Sequence, residues 1–372
     1  MAQGALATKE DRVIGALLGV HAGDCLGAAH EFLPWANFRA SYRNGVRELM
    51  AGGGFGWKRG EATDDTDMTR AVLLAYYDHV RYSRDAAANN PDRGKDVAGR
   101  AASYFLDWFT GNNWPGRTQG APPRDVGNQT QTALMALAAD PNRDHTRWGV
   151  NEGVGKRTAG NGGLMRCIPI ALFNDVPNVV EDETIAINNI THLDSESAIA
   201  CVAYNLIVSS LVNGMAAGAA YDNAMLVVDS WINENRRNSY KHRAAVKIKR
   251  LMEAGRHSIS LADFANNGPE RANGWKEFMP GNGNGYVGDS LLIAIAALFD
   301  TRSLEDILVD VVRLGKDTDT NAAIAGGILG ARDGQAAIPE RWKEHLQYRE
   351  EFQAAAEYIL EASGLPSEAI EG

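Results

Sequence analysis

The sequence predicts an all-α fold, and three observations carry that reading. Apolar residues recur at three- and four-residue spacing through most of the chain, and sustained period-two alternation is scarce. Clusters of Gly, Pro, Asn and Asp break the periodic segments into lengths that suit ordinary helices.

Taken in order, Val13, Leu17, Leu18 and Cys25 mark a first helix, and Met68, Val72, Leu73, Tyr76 and Val80 mark a second directly after an acidic cluster. Further helices are predicted over about 96–109, 129–139, 180–190, 195–213, 218–234, 241–254, 287–299, 303–314, 320–330 and 346–363. Loops are expected at AGGGFGWKRGE (51–61), NNPDRGKD (89–96), GNNWPGRTQGAPPRDVGN (111–128) and MPGNGNGYVGD (279–289). None is long or biased enough for a disordered linker, and no internal repeat is visible, so residues 1–372 are expected to form one compact helical domain.

A net charge of −10 argues against a general nucleic-acid binder. Three cysteines, Cys25, Cys167 and Cys201, form no C-x-x-C pair, which disfavours both a disulfide framework and a thiolate metal site and fits a reducing cytoplasm. Lys9, Glu10, Asp11 and Arg12 interrupt the N-terminal segment, so no secretory signal is expected there. No apolar run is expected to reach the roughly 20 residues that span a bilayer. The basic run NRRNSYKHRAAVKIKR (235–250) offers a contact for an acidic partner. Its residues Ala244, Ala245, Ile248, Leu251 and Met252 nevertheless share one face, as in a helix whose basic side faces water.

Two acidic clusters carry the chemistry. Thr63, Asp64 and Asp65 precede one apolar helix, and Asp317, Asp319 and Thr320 precede another. Either cluster alone is what a polar helix N-cap looks like. Together they supply four carboxylates and two hydroxyls, an oxygen set suited to a pair of hard divalent cations. The second helix is rich in small residues, from Ala322 to Gly330, and can approach its neighbours closely. An EF-hand starting at Asp317 fails, because it needs Gly and Glu where Ala322 and Ile328 stand. A phosphotransfer motif of the haloacid dehalogenase type, with Asp317 as nucleophile, needs a parallel-sheet fold and a downstream acidic pair, and remains a minor alternative.

With these clusters in place, the chain resembles the ADP-ribosylglycohydrolases. The matching segments run in order: GALLGVHAGDCLGAAHEF with Gly23, Asp24, Gly27 and Glu31, then ATDDTDMTRAVLLA, DVGNQTQTALMAL, GNGGLMRCIPIAL, THLDSESA, GYVGDSLLIAIAALF and GKDTDTNAAIAGGILGA. The resemblance implies an orthogonal all-α bundle in which Thr63, Asp64, Asp65, Asp317, Asp319 and Thr320 ligate two Mg²⁺ or Mn²⁺ ions with Glu31 beside them. It further implies a loop of Asn161, Gly162, Gly163 and Met165 around ribose and diphosphate, with His192 nearby and Tyr286 against the nucleotide. His192 also reads as a residue of the loop before a helix capped by Asp194, and Tyr286 as a core aromatic.

The expected activity is removal of ADP-ribose from a modified protein side chain, arginine first, by attack of a metal-bound water at the ribose anomeric carbon. Asp64 or Asp319 would take the water's proton and Glu31 would position the substrate. The other reading is a binding protein on the same scaffold, such as an immunity protein that occludes an ADP-ribosyltransferase toxin; the complete oxygen set favours the enzyme. Two positions depart from the family pattern. Lys316 stands where Gly is common, and His30 stands where an apolar or aromatic residue is common.

Overall fold

The computed structural model describes residues 7–84, 96–140, 159–234, 239–268, 279 and 283–364. The helices in chain order are α1 (Lys9–Gly27), α2 (Trp35–Ser41), α3 (Asp64–Arg84), α4 (Val97–Thr110), α5 (Asn128–Ala139), α6 (Ile168–Leu172), α7 (Pro177–Asn189) and α8 (Ser195–Val212). They continue with α9 (Ala217–Glu234), α10 (Tyr240–His257), α11 (Leu261–Asn267), α12 (Val287–Phe299), α13 (Leu304–Arg313), α14 (Thr318–Asp333), α15 (Glu340–Lys343) and α16 (Arg349–Ser363). Among the described residues no strand forms; only isolated bridges, Gly52 with Trp57 and Gly160 with Tyr286, join extended backbone. The all-α expectation holds.

Every helix predicted from periodicity is present with ends shifted by a few residues. The unpredicted ones, α2, α6, α11 and α15, have seven residues or fewer, too few turns to display a period. Most of the loop expected at 89–96, residues 280–282 of the loop at 279–289, and residues 235–238 of the basic run lie outside the described residues. In the rest of that run Ala244, Ala245, Ile248, Leu251 and Met252 are buried, while Lys247 and Lys249 pair with Glu196 and Asp229 at 3.0 and 2.6 Å.

The centre is built by helices apolar on all sides. In α12 every residue from Val287 to Leu298 is buried, and α8 is buried almost throughout. Here one expectation needs correcting, since the segment Lys9–His30 and α8 are both long and apolar enough by composition to cross a bilayer. Their apolar surface is spent inside the protein instead: 94% of the first window and 83% of the second are buried.

The α1 and α14 pair sets the geometry of the acidic clusters. Gly15, Gly19, Gly23 and Gly27 form a stripe at four-residue spacing along α1, which runs antiparallel against Gly330, Gly326, Ala322 and Thr318 of α14. A Cβ at Gly19 would stand 2.1 Å from the Gly326 carbonyl oxygen, and one at Gly23 would stand 2.0 Å from that of Ala322. The backbones therefore touch, and the C-terminal end of α1 meets the N-terminal end of α14.

Immediately beyond that junction two side-chain-bearing residues adopt left-handed backbone, Phe32 (φ 67°) and Lys316 (φ 68°). They are stitched together, with Phe32 N–H donating to the Lys316 oxygen and Lys316 N–H to the Leu33 oxygen, both at 2.7 Å. This accounts for the glycine expected at position 316, because glycine takes such a φ without steric cost, whereas nothing in the structure explains the lysine. The stitch holds Glu31 and Asp317, the neighbours of the strained pair, on facing segments. His30, the other departure, is buried with its ring edge-on to Phe38 and Tyr42 at centroid distances of 5.3 and 4.8 Å.

Candidate active site

Residues 63–66 and 317–320 meet although some 250 positions separate them. Thr320 Oγ1 donates to Asp65 Oδ2 at 3.2 Å, and Thr63 Oγ1 donates to the same oxygen at 3.2 Å. Carboxylate oxygens of Glu31, Asp317 and Asp319 lie within 4.8 Å of one another. Each is brought by a different device: Asp317 and Asp319 by the start of α14, Asp64 and Asp65 by the start of α3, and Glu31 by the turn after α1.

These side chains are held by a polar scaffold. Asn161 Nδ2 donates to Asp317 Oδ2 at 2.7 Å and to Ser290 Oγ at 3.0 Å. Ser290 Oγ in turn donates to Asn321 Oδ1 at 2.8 Å, whose amide reaches the Gly283 oxygen at 3.0 Å. Thr318 Oγ1 donates to the Gly27 oxygen at 2.9 Å and closes the α1–α14 junction.

Two carboxyls missed as site residues in the sequence emerge here. Asp24, fully buried, accepts from Thr63 N–H at 3.0 Å and from the Thr66 hydroxyl, so it fixes the first turn of α3 from below. Asp125 lines the cavity beside Glu31 and Asp64. Both lie in segments quoted for the family resemblance, GDCLG and DVGNQT, so the signal was present; what was missing was their spatial relation to the two clusters.

The electrostatics are one-sided. Burial pushes Asp24 up to about 7 and Asp125 up to about 6, in the latter case with help from Asp317. Burial, followed by the charges of Asp125, Asp317 and Asp64, pushes Glu31 up to about 9. Asp64, Asp65 and Asp319 are raised well above the carboxylate range for the same reasons. Among the described residues no Lys or Arg lines this cavity. Buried carboxylates crowded without a cation must hold protons or a metal. Among the described residues Glu31 Oε2, Asp65 Oδ1 and Asp24 Oδ1 are buried without a hydrogen-bond partner, and this is an all-oxygen donor set with atoms to spare, which fits hard divalent cations.

Above the carboxyls lies a cavity of about 350 Å³. Of the predicted residues, Glu31, Asp64, Asn161, Gly162, Met165, His192, Asp317, Asp319 and Thr320 line it. Thr63 lines a neighbouring cavity, while Asp65, Gly163 and Tyr286 line neither. The expected loop at Asn161–Arg166 is a 3-10 turn. Gly163 serves packing, since a Cβ there would stand 2.1 Å from Asn188 Oδ1. Tyr286 donates its hydroxyl to Glu196 at 2.6 Å and carries Lys247 Nζ 4.4 Å from its ring centroid, so its ring is engaged at the edge of the site.

His192 is held as a neutral imidazole. Arg166, completely buried with its guanidinium 4.4 Å from the Phe105 ring, can only donate, and it donates to Thr191 Oγ1. Thr191 Oγ1, which can accept a second hydrogen bond as well as donate one, lies 2.7 Å from His192 Nδ1 and orients the ring. Burial and the Arg166 charge hold this imidazole well below its ordinary pKa. Its Nε2 edge faces Gly160 and Gly162, where added Cβ atoms would stand 3.3 and 3.1 Å away.

Residues 5–369 match the sequence model of the ADP-ribosylglycohydrolase family. The chain belongs to that family. It is 28% identical over 363 residues to an ADP-ribosyl-[dinitrogen reductase] glycohydrolase of Rhodospirillum rubrum, covering 95% of this chain and 97% of that protein. It is 25% identical over 354 residues to the ADP-ribosylarginine hydrolase Tri1 of Pseudomonas putida (strain GB-1), covering 94% of this chain and 78% of the relative. A solved structure described as an ADP-ribosylglycohydrolase-related protein complex superposes with a TM-score of 0.68 at 25% identity, over 96% of this chain and all of that one. The helical family fold expected from the resemblance is therefore the observed one.

Proposed function

We propose that this protein is a divalent-metal-dependent hydrolase that removes ADP-ribose from arginine side chains. The observation that carries the reading is the junction of Asp65 and Thr320 beneath the cavity, with buried unpartnered oxygens on Glu31, Asp65 and Asp24 and, among the described residues, no Lys or Arg lining the cavity. The arginine preference rests on the similarity to relatives named for ADP-ribosylarginine and dinitrogen reductase.

Thr63, Asp64, Asp65, Asp317, Asp319 and Thr320 would hold two Mg²⁺ or Mn²⁺ ions, with Glu31 beside them. When bound, such ions supply positive charge for the ribose hydroxyls and lower the pKa of water. The chain's own groups do the rest. Backbone N–H groups of Gly160, Gly162 and the start of α5 can donate to a diphosphate, and the Nε2 edge of His192 lies beside the two glycines. Asp64 or Asp319 accepts the proton of the attacking water, and Glu31, 4.8 Å or less from Asp317 and Asp319, orients the ribose. Asp125, which lines the same cavity, is placed to accept a hydrogen bond from the departing guanidinium group.

The test is release of ADP-ribose from an arginine-modified protein with Mg²⁺ and then with EDTA. Release with Mg²⁺ that is lost in EDTA and in Asp319→Asn supports the reading. No release from the wild type, together with unchanged ADP-ribose binding in Asp64→Asn and Asp319→Asn, refutes it.

A further inference from the structure

The cavity over the carboxyls has a neighbour of the same size, about 350 Å³, and Asp64 and Asp125 line both. Their chemistry differs. The first is lined by carboxylates, glycine backbone and neutral polar groups, with Phe32 its one six-membered aromatic ring among the described residues, whereas the second is walled by the rings of Trp57, Trp108, Trp114 and Tyr348.

Charge in the second cavity is largely matched internally. Arg117 donates to Asp67 Oδ2 and to the Trp108 oxygen, both at 2.7 Å, and Arg124 pairs with Glu61. Lys58, exposed at the rim, adds its charge beside Glu61. The acidic groups left over are Asp64 and Asp125, at the boundary with the first cavity. Each of these rings already carries one of the chain's own guanidinium groups: Arg124 lies 4.4 Å from the Trp57 ring centroid, Arg70 4.8 and 4.5 Å from those of Trp114 and Tyr348, and Arg117 6.0 Å from that of Trp108, so a guanidinium from outside would meet the ring surface these leave open. Carboxylates at one end and aromatic faces along the sides complement a guanidinium on an apolar arm.

We propose that this second cavity is the acceptor subsite, which receives the modified arginine side chain while the first cavity holds the ADP-ribosyl part. The proposal rests on the hydrolase reading and adds which surface selects the leaving group. The glycosidic bond then lies where the cavities meet, between Asp64 and Asp125, and Trp57 forms an apolar wall for the acceptor without touching the nucleotide.

The test separates acceptor from nucleotide by using ADP-ribosyl-agmatine and free ADP-ribose as probes. Trp57→Leu should raise KM for ADP-ribosyl-agmatine about tenfold, and Trp57→Phe, which keeps an aromatic face, about threefold or less. Both should bind ADP-ribose, by calorimetry, within about twofold of wild type. A parallel loss of ADP-ribose affinity assigns the cavity to the nucleotide and overturns the proposal, as does an unchanged KM in Trp57→Leu. If the wild type hydrolyses nothing, the activity reading fails by itself, and the subsite is read from binding alone. Tighter binding of ADP-ribosyl-agmatine than of ADP-ribose, abolished by Trp57→Leu, supports it; equal wild-type affinities overturn it.

Discussion

Thr320 Oγ1 donates a hydrogen bond to Asp65 Oδ2 at 3.2 Å, and this contact joins the first turns of α14 and α3. It also aims Asp65, whose other carboxylate oxygen is buried and unpartnered among the described residues. Thr320→Val keeps the shape and removes the oxygen. Its expected effect is a 10- to 100-fold loss of Mg²⁺ or Mn²⁺ affinity, roughly the range for ligand and outer-sphere changes at metal sites. Calorimetric metal titration checks it, with the circular dichroism melt in EDTA unchanged to within roughly 0.5 kcal/mol if the effect is confined to the metal.

Metal and protons should compete for the same carboxyls. Glu31 at about 9 and Asp24 at about 7 are raised above their unfolded values, so the metal-free native state holds protons that the unfolded chain has released. Their contribution is fully present below about pH 4 and is lost as pH rises through 7 and then 9. In EDTA each still-protonated carboxyl costs about 1.4 kcal/mol of stability per pH unit of rise. Denaturation at pH 6 and pH 8 should therefore show a larger Mg²⁺-induced gain at pH 8; an equal gain at both would argue that binding the ion does not displace these protons.

The α1–α14 contact leaves no room for a methyl group. Gly19→Ala and Gly23→Ala should each cost about 1–3 kcal/mol or more, because the new Cβ meets backbone that cannot step aside. Gly218 in α9 is the control, since a Cβ there would meet only the end of Arg256 at 4.0 Å. Gly218→Ala should stabilise by about 0.4–1 kcal/mol. Urea denaturation of the three variants distinguishes crowding from helix propensity.

Lys316 is strained by its own Cβ. At φ 68° the left-handed cost is roughly 1–2 kcal/mol, partly offset by the smaller backbone entropy of a non-glycine residue in the unfolded chain. Lys316→Gly should stabilise by about 0.5–1 kcal/mol. Lys316→Val should destabilise, because a β-branched side chain fits that region worse. Thermal melts of both variants in saturating Mg²⁺ read the sign.

His21 makes the folded protein acid-labile. It is fully buried between Tyr348 and Phe352, at centroid distances of 5.7 and 5.9 Å, with neither ring nitrogen in a well-formed hydrogen bond among the described residues. Burial holds its pKa down at about 3. The neutral ring costs nothing further above about pH 6.5, where the unfolded chain is also neutral. Below that, stability falls by about 1.4 kcal/mol per pH unit until the pH approaches 3. His21→Leu should flatten this limb between about pH 6.5 and 5 in guanidinium titrations, and an unchanged slope would place the acid lability elsewhere.

By itself the sequence determined the longer helices and the oxygen-rich make-up of the two acidic clusters. Periodic apolar residues announce α3, α4 and α13 because a helix repeats its buried face about every 3.6 residues, a property of local geometry. TDDT at 63–66 and DTDT at 317–320 showed their chemistry for the same reason, since adjacent residues need no fold to be adjacent. Tertiary structure decided the rest. That Thr320 reaches Asp65, that Asp24 braces Thr63, and that Asp125 stands between two cavities depend on α1 and α14 packing backbone to backbone. Such contacts join residues far apart in the chain, and no local periodicity records which helix faces which. Lys316 shows the division in one residue: its identity was legible, but its meaning required the φ that only the closed turn against Phe32 imposes.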